Sequence, residues 1–402
     1  MILVEKATEI ILSRVKDFGT ESISFENSLN RVLANDLVTD RDLPPFNRAT
    51  LDGVAINYTS FERGNHAFRV TGTQAAGETS IDITSDNECI EIMTGAALPA
   101  TVDTVIGYED VDIKNGIATI KNGTIKKGNG IHYRGTDKRE NDRIVRSSQL
   151  MTPAIISIAA AIGQTTLQVK KLPRVVIISS GDELVDVHVT PGPYQIRRSN
   201  SYLIRSTLQR FGLHADVRHI PDNPAITKQS INNSLQNYDV IILSGGISMG
   251  KFDYIPAALE ELSVEKLFHK VKQRPGKPFW FGQHKNGVVV FALPGNPVST
   301  YMCLTRYAIP WLKACMSLPS SNNKVAVLAE DFSFMPALQY FLQVKLNIDS
   351  EGRLWATPFE GNGSGDFANL EEADAFMELP LERNNFTKGE VFTIWPFKEI
   401  LL

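Results

Sequence analysis

Residues 240–250 read Val240-Ile-Ile-Leu-Ser-Gly-Gly-Ile-Ser-Met-Gly250, and this stretch decides the fold. A continuous apolar, β-branched run without polar alternation describes a strand covered on both faces, and the glycines after it describe a tight turn at the strand's carboxyl end. Two similar turns follow, Arg274-Pro-Gly-Lys-Pro278 and Leu293-Pro-Gly-Asn-Pro297. Glycines let backbone N–H groups approach phosphate oxygens, and helix N-termini add positive potential. Asp253 and Lys277 can supply a metal ligand and a counter-charge. Three such turns after sheet strands predict a crevice for a phosphorylated, anionic ligand in a doubly wound α/β sheet.

The pattern around these turns alternates strand and helix. Strands are expected at 175–179, 215–220, 240–244 and 288–292, with helices at 199–211, 225–235, 255–262 and 298–314. That alternation predicts a three-layer α/β/α sandwich. Upstream, Ala7, Ile10, Ile11 and Val15 mark one face of a helix, followed by a strand at 22–25. From Asp40 to Ile131 the runs are short and turn-punctuated, with Asn-Gly at 115 and 122, which describes an inserted, mostly β domain. An alanine-rich helix at 151–162, with Pro153 near its start and Gly163 at its end, closes the first domain. Beyond residue 317 the short strands return as a small C-terminal β domain.

Composition narrows the function classes. The 402 residues carry a net charge of −4, with 43% hydrophobic and 21% charged positions, and no Lys/Arg-rich face stands out. The charge balance therefore argues against nucleic acid and anionic membranes as partners. Cys89, Cys303 and Cys315 are odd in number and lack C-x-x-C spacing, as expected of buried thiols in a reducing compartment. No apolar run reaches the roughly 18 residues of a membrane span, and a cytoplasmic protein is expected.

Each motif also has a blander reading. Residues 245–251 fit G-x-x-x-x-G-K, but Phe252 stands where a phosphate loop needs a hydroxyl for Mg²⁺. Pro-Gly is more often a plain type II turn than a binding site. Asp52, Glu109, Asp137, Asp182, Glu183 and Asp253 all lie at turns, where a single acid is commonly a solvated residue or a helix cap. Taken together, such oxygen ligands suit Mg²⁺ and a phosphate ester, whereas the seven histidines show no zinc spacing.

The ordered motifs Leu43-Pro-Pro-Phe-Asn-Arg-Ala-Thr-Leu-Asp52-Gly-Val-Ala55, Ile92-Met-Thr94-Gly-Ala, Arg134-Gly-Thr-Asp137, Ser180-Gly-Asp-Glu183-Leu, Ser199-Asn200-Ser, 244–253, Pro275-Gly-Lys277-Pro and 293–297 carry a resemblance. Over essentially the full chain, and including Gly363-Ser364-Gly365, it resembles the MoeA/gephyrin E-domain family. The resemblance implies a molybdopterin molybdenumtransferase that inserts molybdenum from molybdate into adenylylated molybdopterin and releases AMP, using Mg²⁺. It further implies an elongated N-terminal domain (1–45 and 132–172), an inserted β domain (46–131), an α/β/α domain (173–316) and a C-terminal β domain (317–402). A homodimer is implied, with the site between the α/β domain of one subunit and the inserted domain of the other, as is handover from a molybdopterin adenylyltransferase.

Matched position by position, the resemblance makes Asp52, Asp137, Glu183 and Asp253 the catalytic acids, with Glu183 and Asp253 holding the metal. It assigns substrate binding to Thr94, Gly181, Asp182, Ser199, Asn200, Ser244, Gly245, Gly246, Ser248, Gly250, Pro294, Gly295 and Asn296. Arg274, Lys277, Pro278 and Ser364 would line the molybdate pocket. The chain departs from the family pattern where Arg198 replaces an aspartate, His132 an arginine, Arg274 a lysine and Gln343 an arginine, where Asn47-Arg48 stand for Asp-Asn, and where Val54 replaces an aromatic. These departures leave open a binding or scaffold protein that holds molybdopterin without inserting metal, and a hydrolase of another adenylylated substrate.

Overall fold

A computed structural model describes residues 1–121, 123–247, 253–319 and 324–398. Ser248 and Gly250 therefore lie outside the described residues. The chain divides into two compact units, Met1–Ala34 with Ser148–Thr152 and Leu167–Leu402, and Asn35–Ser147 with Pro153–Thr166. Pairing of Leu37–Val38 with Arg143–Val145 places both segments in the second unit, so its borders differ from those of the expected domains.

In the first unit a six-stranded sheet runs in the order Asp216–Ile220, Val175–Ser180, Val240–Ser244, Val289–Leu293, Trp280–His284, Val264–His269. The first four strands are parallel, and the last two add an antiparallel edge that the sequence pattern did not reveal. Alternate residues of the central strands bury on opposite faces. Ile177, Ile242 and Phe291 pack in the cluster shared with Ile204 and Val298 of helices Asn200–Gln209 and Pro297–Cys303. Ile178, Ile241 and Val290 pack with Ile231 and Leu259 of helices Pro224–Asn237 and Ile255–Glu261. Each such side chain contributes about 1.5–3 kcal/mol, and with both faces covered the strand has no position for polar alternation. The layers are those of the expected sandwich.

Local chemistry sets the helix ends. The Asn223 side chain accepts from the backbone N–H groups of Ala225 (3.0 Å) and Ile226 (3.1 Å), while Pro224 occupies the first turn, where its missing N–H costs nothing. The single helix expected at 298–314 is instead Pro297–Cys303, a π-helical stretch Leu304–Ala308 and a further helix Ile309–Cys315. Pro310 has no N–H for the carbonyl four residues back, so the regular ladder breaks there and the wider turn takes its place. The N-terminal helix ends at Leu12, so Val15 lies beyond it and is exposed.

The C-terminal strands close on themselves. Gln339–Ile348 pairs with both Leu354–Pro358 and Ala375–Leu379, and the ring continues through Val325–Leu328 and Val391–Pro396. Closure removes the exposed strand edges. One expectation is corrected here: the turn at Arg274 lies between the α/β strands Val264–His269 and Trp280–His284, but the short strand that carries it belongs to another sheet. Gln273–Arg274 pairs in parallel with Gln339 and Tyr340 of the C-terminal sheet.

The second unit holds a six-stranded sheet, Thr104–Gly107, Gly53–Ile56, Glu88–Ile92, Ala67–Gln74, Ile117–Ile120, Val111–Lys114. The last two strands form a hairpin through Asn115 (φ +52°) and Gly116 (φ +77°), the successive positive angles that a two-residue type I′ turn requires. No helix among the described residues is long and apolar enough to cross a membrane.

Candidate active site

The parallel strands bring two of the three glycine turns together. Asn200, at the start of helix Asn200–Gln209, donates through Nδ2 to Ser244 Oγ (2.9 Å) and to the Gly295 carbonyl (2.7 Å). Gly245 (φ +92°) takes a left-handed conformation beside them, and a Cβ there would stand 3.1 Å from the Ser180 carbonyl. Its N–H donates to the Leu293 carbonyl at 3.2 Å, so neighbouring strands hold the two turns directly. Gly246 (φ +66°) continues the turn. Asn200 Oδ1 is buried and has no partner among the described residues, an acceptor left for a ligand donor. Ser199 precedes that helix, and its side chain makes no cap hydrogen bond.

Carboxylates gather at the ends of the two adjacent strands. Gly181 follows strand Val175–Ser180, and the Glu183 carboxylate folds over the space its missing Cβ leaves. Asp182 Oδ1 accepts from the Asp222 N–H (3.0 Å), and Asp222 Oδ1 accepts from Ser180 Oγ (3.2 Å). Sequence reasoning passed over Asp222, although it stands in Pro221-Asp-Asn-Pro at a strand end. Arg198 pairs with Asp186 instead of facing the turns.

A cavity of about 670 Å³ adjoins this crevice, and Gly295 and Asn296 belong to both. Arg274, Lys277 and Pro278 line it from the third turn and Ser364 from the C-terminal region, so the turn that left the α/β sheet still reaches the same place. Asn296 Nδ2 donates to Ser364 Oγ (2.8 Å), which leaves the hydroxyl proton to donate into the cavity. Arg274 lies over the Phe334 ring at 5.6 Å, and among the described residues neither Arg274 nor Lys277 forms an ion pair. Two cations and a hydroxyl suit a compact oxyanion. Two further polar residues stand in the wall, Tyr340, which sequence reasoning passed over, and Gln343, which it had named as a departure near the molybdate pocket. Tyr340 donates to Glu360 (2.7 Å), and burial together with that carboxylate pushes the phenol up. Gln343 is 8% exposed, and among the described residues its amide oxygen has no partner.

The remaining candidates belong to the second unit. Asp52 Oδ1 accepts from the Thr94 N–H (2.7 Å), and this bond, with the Thr94 hydroxyl, holds the carboxyl below the usual range. His132 Nε2 meets Asp137 at 2.9 Å, and its Nδ1 meets Arg48 Nη2 at 3.2 Å. A guanidinium can only donate, so Nδ1 accepts and Nε2 carries the ring proton toward Asp137. Arg48 and His132 are direct cross-strand partners, which makes two departures from the family pattern one physical unit.

Comparison with known proteins matches the chain along its length. Family models match residues 2–163 as "MoeA N-terminal region (domain I and II)", 176–314 as "Probable molybdopterin binding domain" and 325–397 as "MoeA C-terminal region (domain IV)". A protein from Synechocystis sp. named molybdopterin molybdenumtransferase is 37% identical over 398 residues, 98% of this chain and 100% of the relative. The chain belongs to the MoeA family. A molybdopterin molybdenumtransferase from Staphylococcus aureus is 28% identical over 98% of this chain and 95% of its own. A MoeA crystal structure from Pyrococcus horikoshii superposes with a TM-score of 0.81 at 29% identity, covering 99% of this chain and 100% of that one. Within this MoeA-family chain, no group of three or more His, Cys, Asp or Glu side chains among the described residues is arranged to hold a metal ion. Mg²⁺ keeps several waters and needs only one or two carboxylates beside substrate phosphates, so the oxygen donors over Gly181 have fitting chemistry.

Proposed function

We propose that the protein is a molybdopterin molybdenumtransferase that takes molybdenum from molybdate into adenylylated molybdopterin and releases AMP. The observation that carries this reading is the junction at Gly295 and Asn296 of a glycine-lined crevice with a cationic cavity. The crevice offers backbone N–H groups and Asn200 to a pterin and its pyrophosphate, while Arg274, Lys277 and Ser364 offer donors to a tetrahedral oxyanion. Joined in this way, they hold the dithiolene and the oxyanion as neighbours, so the reaction gains from proximity. Glu183 and Asp253 would hold Mg²⁺, which when bound would neutralise charge developing on the departing AMP.

Asp52, with Thr94 fixing its orientation, and Asp137, oriented by His132, serve as the acids of the second unit. We further propose that the protein acts as a cytoplasmic homodimer, with these acids meeting the crevice of a second copy, and that it receives its substrate from an adenylyltransferase. A catalytically silent binding protein is favoured by one feature: Gln343 presents a neutral amide, with its oxygen unpartnered, where a cation would serve the oxyanion better. Reconstitution separates the two readings. Pure protein incubated with adenylylated molybdopterin, molybdate and Mg²⁺ is expected to activate an apo-molybdoenzyme, and tight ligand binding without activation would overturn the transferase reading.

A further inference from the structure

Beneath the cavity, the turn that carries Lys277 rests on a buried polar chain. Gln273 is fully buried, and its Nε2 donates to the Gly276 carbonyl (3.0 Å) and meets Cys303 Sγ at 3.5 Å. Its Oε1 accepts from the Tyr307 hydroxyl. Gly276 (φ +85°) lies so close that a Cβ would stand 2.6 Å from Cys303 Sγ and 2.9 Å from Met302 Cε. Tyr307 is 1% exposed, and its ring packs 5.0 Å from Phe279.

Tyr307 belongs to the π-helical stretch Leu304–Ala308, as does its neighbour Arg306. Arg306 donates to Glu378 of the C-terminal sheet (3.2 and 3.3 Å) and to Thr8 Oγ1 (3.0 Å), and its guanidinium lies 4.5 Å from the Trp395 ring. Gln339 and Trp395 each donate to the same carboxylate at 2.6 Å. Consecutive residues of one wide turn therefore reach the Lys277 turn and the C-terminal sheet. Both of these parts of the fold contribute walls to the cavity.

We propose that Tyr307 and Gln273 are positioning residues for the oxyanion subsite, setting where Lys277 stands on the cavity wall. The inference rests on the transferase reading above. With its oxygen held by the Tyr307 hydroxyl, the Gln273 amide must turn its NH₂ toward Gly276, since an amide oxygen there would face a carbonyl oxygen. Without the hydroxyl the buried Gln273 oxygen loses the donor that anchors it, the amide is held from its NH₂ end alone, and the turn can shift while the ring packing survives. Positioning demands of this kind are steep for a site that must hold a small anion.

The test uses the full chain and molybdate alone as the probe, with calorimetric titration of wild type, Tyr307→Phe and Tyr301→Phe. Tyr301 is the control: it lies against the same core, and its hydroxyl donates to the Phe397 carbonyl (3.2 Å), away from the turn. Tyr307→Phe is expected to weaken molybdate binding about tenfold, the effect of one lost hydrogen bond. Its affinity for adenylylated molybdopterin should be unchanged, and Tyr301→Phe should bind both ligands as wild type does. Wild-type molybdate affinity in Tyr307→Phe would overturn the inference alone. Equal loss of both ligands, or an equal molybdate loss in Tyr301→Phe, would also overturn it. Wild-type protein that binds no molybdate would overturn the transferase reading, and the inference with it.

Discussion

The crevice of the first unit and the acid pairs of the second hold their functional groups by different means. In the crevice, backbone does most of the positioning: strand ends deliver Ser244 and Gly181, Gly245 allows close approach, and Asn200 ties two turns together. In the second unit, Asp52 and Asp137 are exposed carboxylates fixed by one neighbour each, Thr94 and His132. A rigid, buried frame suits binding, where geometry must exist before the ligand arrives. Charge on an exposed acid suits turnover, because ionised groups are free to interact with what the reaction develops.

This contrast breaks most visibly if acids of the second unit prove to be binding groups. Asp52→Ala is expected to lower turnover by about 10²–10³-fold, the scale for one lost electrostatic group, while calorimetry finds substrate affinity retained. Lys277→Ala acts on the other side. Molybdate affinity should fall about tenfold by the same method, with no change in affinity for adenylylated molybdopterin. Gly245→Ala probes the backbone frame, since its φ of +92° and the nearby Ser180 carbonyl both resist a side chain. It should cost about 1–2 kcal/mol in denaturant unfolding and weaken pterin binding as well.

The smallest effect concerns pH. Asp52 is held below the ordinary carboxylate range by Thr94, so its contribution to stability is complete above the unfolded value of about 3.9 and is lost as pH falls through the lower folded value. Melting curves of wild type and Asp52→Asn should therefore differ most near neutrality and converge in acid. A gap that stays constant with pH would show that the Thr94 contact does not depend on charge.

The same division explains what the sequence made legible. Continuous runs such as Val240–Ser244 announced the sandwich because burial on both faces leaves no alternation. The antiparallel strands Trp280–His284 and Val264–His269 escaped notice because they lack such runs. Ser244, Gly295 and Lys277 were readable from turn chemistry, since glycine and proline mark where backbone leaves a sheet, whereas Asn200 was named only through the family resemblance. Pairings across long separations were not. Arg48 and His132 meet through strand register, and Tyr307 reaches Gln273 through a π-helical turn that one proline brings about. Gln343 could be named as a departure, but its unpartnered oxygen exists only once the cavity walls are assembled.

AMP release by the wild-type protein, followed while molybdate is titrated at fixed adenylylated molybdopterin and Mg²⁺, tests the central claim most directly. If the crevice and the cationic cavity form one site, AMP appears in step with molybdate occupancy and stays at background without it. AMP released at the same rate in the absence of molybdate would contradict the account, and would make the protein a phosphoanhydride hydrolase whose cavity has no part in the reaction.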